Sequence, residues 1–208
     1  MKTKLILLMQ IILSFFLFAQ DTTSNYYPLK VGNEWTYRLE GNNTQVVKII
    51  DSLDQYGAFQ VRTVAKYGSM LPMTTEELIE PRGNIVLNIA FRGGLGSGEW
   101  RFYSGNTILQ FPLRKNGNWK GEKEGTYNKY QVISFEDVET SAGKFANVCK
   151  ILLTITYRNT TTNKIEPFAK MYQYYAPDVG LVKEEIIKKD KTISMYRELI
   201  GYNIANSK

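Results

Sequence analysis

From Glu34 to the C-terminus, this 208-residue chain keeps a two-residue rhythm of apolar and polar side chains, while a sustained 3.6-residue period is hard to find outside its first residues. Ile85, Leu87, Ile89 and Phe91 share one face, with Asn88 and Ala90 on the other, and Phe59, Val61, Thr63 and Ala65 repeat the arrangement. Successive side chains of a strand point to opposite faces, so each such run buries one side and wets the other. The rhythm therefore predicts an all-β or mainly β chain.

Turn-forming residues divide the rhythm into segments suited to a meander: Gly41-Asn42-Asn43, Tyr56-Gly57, Arg82-Gly83-Asn84, Asn116-Gly117-Asn118, Ala142-Gly143-Lys144, Asn159 to Asn163, Asp178-Val179-Gly180 and Lys189-Asp190. Asn116-Gly117 is the strongest hairpin signal among them. The strands so delimited are 34–40, 45–51, 58–65, 75–80, 84–91, 99–103, 107–113, 119–123, 130–140, 144–158, 167–175, 180–188 and 191–202. So many strands in one domain must curl or stack. Several of the later ones are long, which favours a curved antiparallel half-barrel or open barrel over a flat sandwich.

The chain opens with Lys2 and Lys4, then an apolar stretch from Leu5 to Phe18 broken only by Gln10 and Ser14, ending in Phe18-Ala19-Gln20-Asp21. This reads as a signal peptide over 1–19, cut after Ala19 or Gln20, followed by a short polar tether over 20–25 and a single β-rich domain over 26–208. The apolar stretch falls short of the roughly 20 residues a membrane helix needs, and no later segment reads as a transmembrane span. The product is expected to be exported, periplasmic or secreted. An acyl anchor would need a cysteine near the cut, and the only one is Cys149, so lipid anchoring is not expected.

Cys149 lies in the alternating run Cys149, Ile151, Leu153, Ile155 and reads as a buried core thiol. The chain has no histidine, which removes Ser-His-Asp and Cys-His catalysis and His-ligated zinc together. Its net charge of +6 includes Lys2 and Lys4 of the leader, leaving +4 beyond it, interspersed as in Glu122-Lys123-Glu124. Such a mild and mixed excess reads as solvated strand faces, with no nucleic-acid partner expected. One internal echo stands out. Pro28-Leu29-Lys30 to Trp35 and Pro112-Leu113-Arg114 to Trp119 run through a Gly/Asn turn to tryptophan at equal spacing, either two similar turns or the trace of a duplicated meander.

Three stretches, Tyr27 to Tyr37, Thr140 to Val148 and Tyr174 to Lys183, resemble signposts of exported proteins in the TapB-like, domain-of-unknown-function group. The resemblance implies a highly curved antiparallel sheet akin to the lipoprotein-carrier half-barrels typified by LolA and LolB. It implies no activity and no catalytic residues. Read physically, Trp35, Tyr37 and Tyr175 are core plugs, and Ala142-Gly143 and Pro177 to Gly180 are tight corners.

The glycine-rich segment 92–98 lacks the lysine and following helix of a phosphate cradle and reads as a hairpin loop. Glu76, Glu77, Glu80 and Glu99 are nominal carboxylates for acid-base hydrolysis of a sugar, but strand spacing sets no pair at the required separation. No catalytic, cofactor-binding or metal-ligating set emerges, and a non-enzyme is expected. A curved sheet instead suits a binding or carrier module of the cell envelope, its hollow enclosing a small apolar ligand or lipid. Trp100, Phe102, Phe111, Tyr172 and Tyr174, with Tyr175, are the rings expected to line it. The alternatives are a structural or protein-interaction module with an envelope protein partner and, below that, a carboxylate-based hydrolase.

Overall fold

A computed structural model of the protein describes residues 26–93 and 98–205. The expected leader and tether, and the middle of the glycine-rich segment, lie outside the described residues. The chain forms strands β1 (Glu34–Leu39), β2 (Thr44–Leu53), β3 (Ala58–Lys66), β4 (Met73–Arg82), β5 (Ile85–Gly93), β6 (Arg101–Gln110), β7 (Asn118–Lys123), β8 (Thr126–Thr140), β9 (Gly143–Arg158), β10 (Ile165–Ala176), β11 (Gly180–Ile187) and β12 (Ile193–Asn203). Single 3-10 turns at Glu40–Asn42 and Asp54–Tyr56 link the first three. Among the described residues no helix is long and apolar enough to cross a membrane.

All the strands join one antiparallel sheet in the order β6-β5-β4-β3-β2-β1-β12-β11-β10-β9-β8-β7. Chain neighbours are therefore sheet neighbours within β1 to β6 and within β7 to β12, β12 returns to pair with β1, and β6 and β7 are left as the two edges. These edges meet. A Cβ on Gly121 of β7 would overlap the Asn106 side chain of β6 and stand 2.9 Å from the Thr107 carbonyl oxygen, so only glycine lets the edges come this close. The result is the expected curved antiparallel meander, wrapped into an open barrel with one seam.

The alternation that predicted the strands also sorts their faces. In β1, Trp35, Tyr37 and Leu39 are buried while Glu34, Thr36 and Arg38 are partly exposed. Ile49, Ile79, Leu109, Val132, Ile151, Val182 and Leu199 complete the inner core, each contributing roughly 1.5–3 kcal/mol through burial. Cys149 is among them, as its place in the alternation predicts. A second, small cluster of Ala58, Leu78 and Ala90 lies on the opposite, convex face of β3 to β5, with Trp100 packed on it.

Two local expectations are corrected. The segments 99–103 and 107–113 are one strand, β6: the chain continues through Ser104-Gly105-Asn106, with Gly105 at φ 98° and shifts of register against β5, as a glycine bulge permits. Asn116-Gly117 does not join a hairpin. Asn116 takes the left-handed conformation expected of it, at φ 67°, but the turn lies on the connection between β6 and β7, which are opposite ends of the ladder.

That turn is instead one of a matched pair. Asn33 N–H donates to the Lys30 carbonyl at 3.0 Å, and Gly117 N–H to the Arg114 carbonyl at 2.8 Å. Gly32 and Asn33 then exchange hydrogen bonds with Ile49, and Asn116 and Gly117 with Val132, all at 2.9 Å. Trp35 faces Val47 in the first ladder and Trp119 faces Tyr130 in the second. Register shifts follow Ile49 in β2 and Val132 in β8, and fall again at Leu78/Ile79 in β4 and Tyr174/Tyr175 in β10. The Pro-to-Trp echo therefore opens two six-stranded meanders, β1 to β6 and β7 to β12, that match bond for bond at their starts.

Candidate functional site in the barrel interior

The barrel is not filled. Its inner face leaves a cavity of about 320 Å³, at the lower end of the volumes that hold small molecules. One end is stoppered by the segment before β1. Tyr27, Pro28 and Leu29 line the cavity there, with Trp35, Ile49, Gly180 and Leu181. Asn33, fully buried, holds this stopper: its amide donates to the Pro28 carbonyl at 2.7 Å and its side-chain oxygen accepts from Ala205 N–H at 2.9 Å. Trp35 Nε1 donates to the Val179 carbonyl at 2.6 Å, and the Tyr37 hydroxyl to the Leu181 carbonyl at 2.8 Å.

Tyr27, Trp35, Tyr37, Tyr130 and Tyr175 give the cavity an aromatic wall. Burial raises the pKa of Tyr27, Tyr37 and Tyr175 well above the ordinary phenol value. Burial pushes Tyr130 up to about 12, against the hydrogen bonding of Asn106 and Asn128. All four therefore stand as neutral hydroxyls at physiological pH.

The other end is polar. Asn88, Asn106, Asn128, Gln173, Glu77 and Arg197 line it, with half-exposed Thr63 and Glu77 marking the side toward solvent. Arg197 Nε lies 2.5 Å from Glu184 Oε2, its Nη1 donates to Gln45 Oε1 at 2.7 Å, and its guanidinium sits 5.0 Å above the Tyr37 ring. Burial opposes the charge on Arg197, but Glu184 and Tyr37 beside it hold its pKa above the usual arginine value. Gln173 Nε2 donates to Glu184 Oε1 at 2.6 Å. Asn88 donates to Glu77 and accepts from the Tyr103 hydroxyl, while Lys123 Nζ stands 3.8 Å from Glu77. Asn128 Nδ2 donates to Asn106 Oδ1 at 3.1 Å, joining β8 to β6 across the seam.

The rings nominated from sequence fall mostly elsewhere. Tyr172 and Tyr174 do not line the cavity: they stand 4.6 and 5.1 Å from Lys150 Nζ, and Tyr174, buried in the main core cluster, donates its hydroxyl to Glu185 at 2.7 Å. Trp100 lies under the Arg92 guanidinium at 4.4 Å on the convex face. Phe102 is 53% exposed and faces Tyr56 at 5.4 Å. Phe111 is buried in the inner core but does not line the cavity, whereas Tyr175 does. The reason is parity. On β10, Gln173 and Tyr175 line the cavity and Tyr172 and Tyr174 do not, so a run rich in rings on both faces hides which face meets the cavity.

The carboxylates are not brought together. Glu76 and Glu77 are consecutive on β4 and point to opposite faces. Glu76 accepts from Gln60 at 2.8 Å, Arg62 at 2.8 Å and Arg92 at 2.6 Å on the convex side. Although burial alone would raise its pKa, the hydrogen bonds from Arg62 and Arg92 lower it. Glu80 pairs with Arg82 through two bonds of 2.7 Å, and Glu99 is exposed. Glu77 alone of the four reaches the cavity.

Comparison with known proteins agrees with the fold. Residues 110–199 match the family model described as DUF3108-like, a span that includes two of the three signposts. No curated protein matches the sequence. A solved structure from Bacteroides fragilis, of a protein described as exported and of YmcC-like fold, superposes with a TM-score of 0.50 at 11% identity, covering 86% of this chain and 99% of the other. Another, from Parabacteroides distasonis and described as a lipoprotein, gives a TM-score of 0.48 at 16% identity, covering 88% and 100%. Residues 110–199 are thus similar to the DUF3108-like family model, and the fold is similar to the YmcC-like one.

Proposed function

We propose that the protein is an exported, non-catalytic binding or carrier module of the cell envelope that holds one small ligand, apolar in its body and polar at one end, inside the barrel. The observation that carries this reading is the cavity, with an aromatic wall and a set of amides in one lining. A cavity of this size, lined by rings and by convergent amides, suits a small molecule. Export is supported by the leader-like first residues and by the description of the Bacteroides fragilis protein as exported. Absence of an acyl anchor is supported by Cys149, which is fully buried in the barrel and has its pKa pushed up to about 12 by burial.

The test is uptake of N-phenylnaphthylamine, a neutral dye that brightens in apolar surroundings, by the chain from residue 20 onward. Saturable binding is expected, and Val61→Trp, which directs a larger ring into the cavity, should abolish it. Absence of saturable binding to the folded protein would overturn the reading. A second reading, an envelope protein-interaction module, rests on Leu71 (82% exposed) and Phe168 (73% exposed), which stand on or beside loops at the polar end of the barrel. It gains if dye uptake fails and a partner chain co-purifies.

A further inference from the structure

The polar end of the cavity presents acceptors. Gln173 is 9% exposed, and its amide nitrogen is committed to Glu184, which fixes the orientation of the amide. Its oxygen, Oε1, is buried without a hydrogen-bond partner, and so is Oδ1 of Asn128. Both residues line the cavity. A buried acceptor left unmet is costly, and what meets it must be a donor.

The charges do not oppose that demand. Around the polar end stand two carboxylates, Glu77 and Glu184, and one guanidinium, Arg197, already engaged with Glu184, Gln45 and the Tyr37 ring. Lys123, 3.8 Å from Glu77, is the remaining nearby charge. These four charges balance, so the orphaned oxygens decide: an anionic ligand would bring them only further acceptors. A cationic one would meet them favourably, next to ring faces that attract positive charge.

We infer that the cavity selects a small amine, an alkyl or aromatic ammonium whose N–H groups reach Gln173 Oε1 and Asn128 Oδ1 near Glu77 while its apolar body lies among Tyr27, Trp35 and Tyr175. The inference rests on the carrier reading and names its ligand class.

The test displaces N-phenylnaphthylamine from the folded chain with n-octylamine, n-octanol and n-octanoate, which share a tail and differ in the head. Octylamine is expected to displace the dye at about tenfold lower concentration than octanol, with octanoate weakest. Glu77→Gln, which preserves size, should narrow the advantage of the amine over the alcohol, and so should Gln173→Leu, with circular dichroism confirming the fold of each. Displacement led by octanoate, equal displacement by all three, or an amine advantage that survives both substitutions would overturn the amine assignment and leave the carrier reading standing. Failure of the dye itself to bind would overturn both.

Discussion

The two matched tryptophans show how differently one residue type can be used at equivalent places. Trp35 and Trp119 are both buried at the second position of a half, but Trp35 Nε1 donates to the Val179 carbonyl at 2.6 Å while Trp119 Nε1 has no hydrogen-bond partner and its ring stacks on Tyr130 at 5.1 Å. Replacing either by phenylalanine removes the same volume. Only Trp35→Phe also strands a buried carbonyl, so it is expected to cost about 1 kcal/mol more in urea unfolding than Trp119→Phe. Equal losses would show that the Trp35 hydrogen bond contributes nothing net. The site was only partly legible at this scale. Trp35, Tyr37 and Tyr175 read correctly as inward rings, but Gln173 and Arg197 look in the sequence like ordinary solvent-facing members of a strand. Their inward direction depends on Glu184, a partner on β11 that lies between β10 and β12 in the sheet and that no spacing rule joins to them.

Among elements, the strands were legible and the seam was not. Period-two alternation locates β1 to β5 and β8 to β12 because each has one face on the core. It divided β6 wrongly, since Gly105 resembles a turn and serves as a bulge, and it made Asn116-Gly117 a hairpin, since local turn chemistry carries no information about which strands pair. The close approach of β7 to β6 depends on Gly121. Gly121→Val is expected to destabilise the protein by about 1–3 kcal/mol, because its side chain would be forced against Asn106 and the Thr107 carbonyl. Gly201→Ala, on β12 where a Cβ meets open space, should change stability by no more than about 0.5 kcal/mol. Denaturant midpoints check both, and a tolerated valine at 121 would mean that β6 and β7 stand apart.

At the scale of the molecule, two six-stranded meanders make one barrel with unlike junctions. β12 and β1 are joined by a hydrogen-bonded ladder, whereas β6 and β7 merely abut, and Tyr37 of the first half corresponds to Gly121 of the second. The difference matters for the interior. The Tyr37 hydroxyl reaches over β12 to the Leu181 carbonyl of β11 in one half, whereas its counterpart has no side chain and the Asn106 side chain takes that place. The likeness of the halves was visible in the sequence only as the Pro-to-Trp echo, because they share turn geometry and bulge positions and fill their strands with different residues. What the barrel encloses is the centre of this account. Native mass spectrometry of the protein purified from its own host's envelope is its most direct test. A small molecule that stays on the folded chain and leaves on denaturation is the expected result, and a chain that flies only at its bare mass would contradict it.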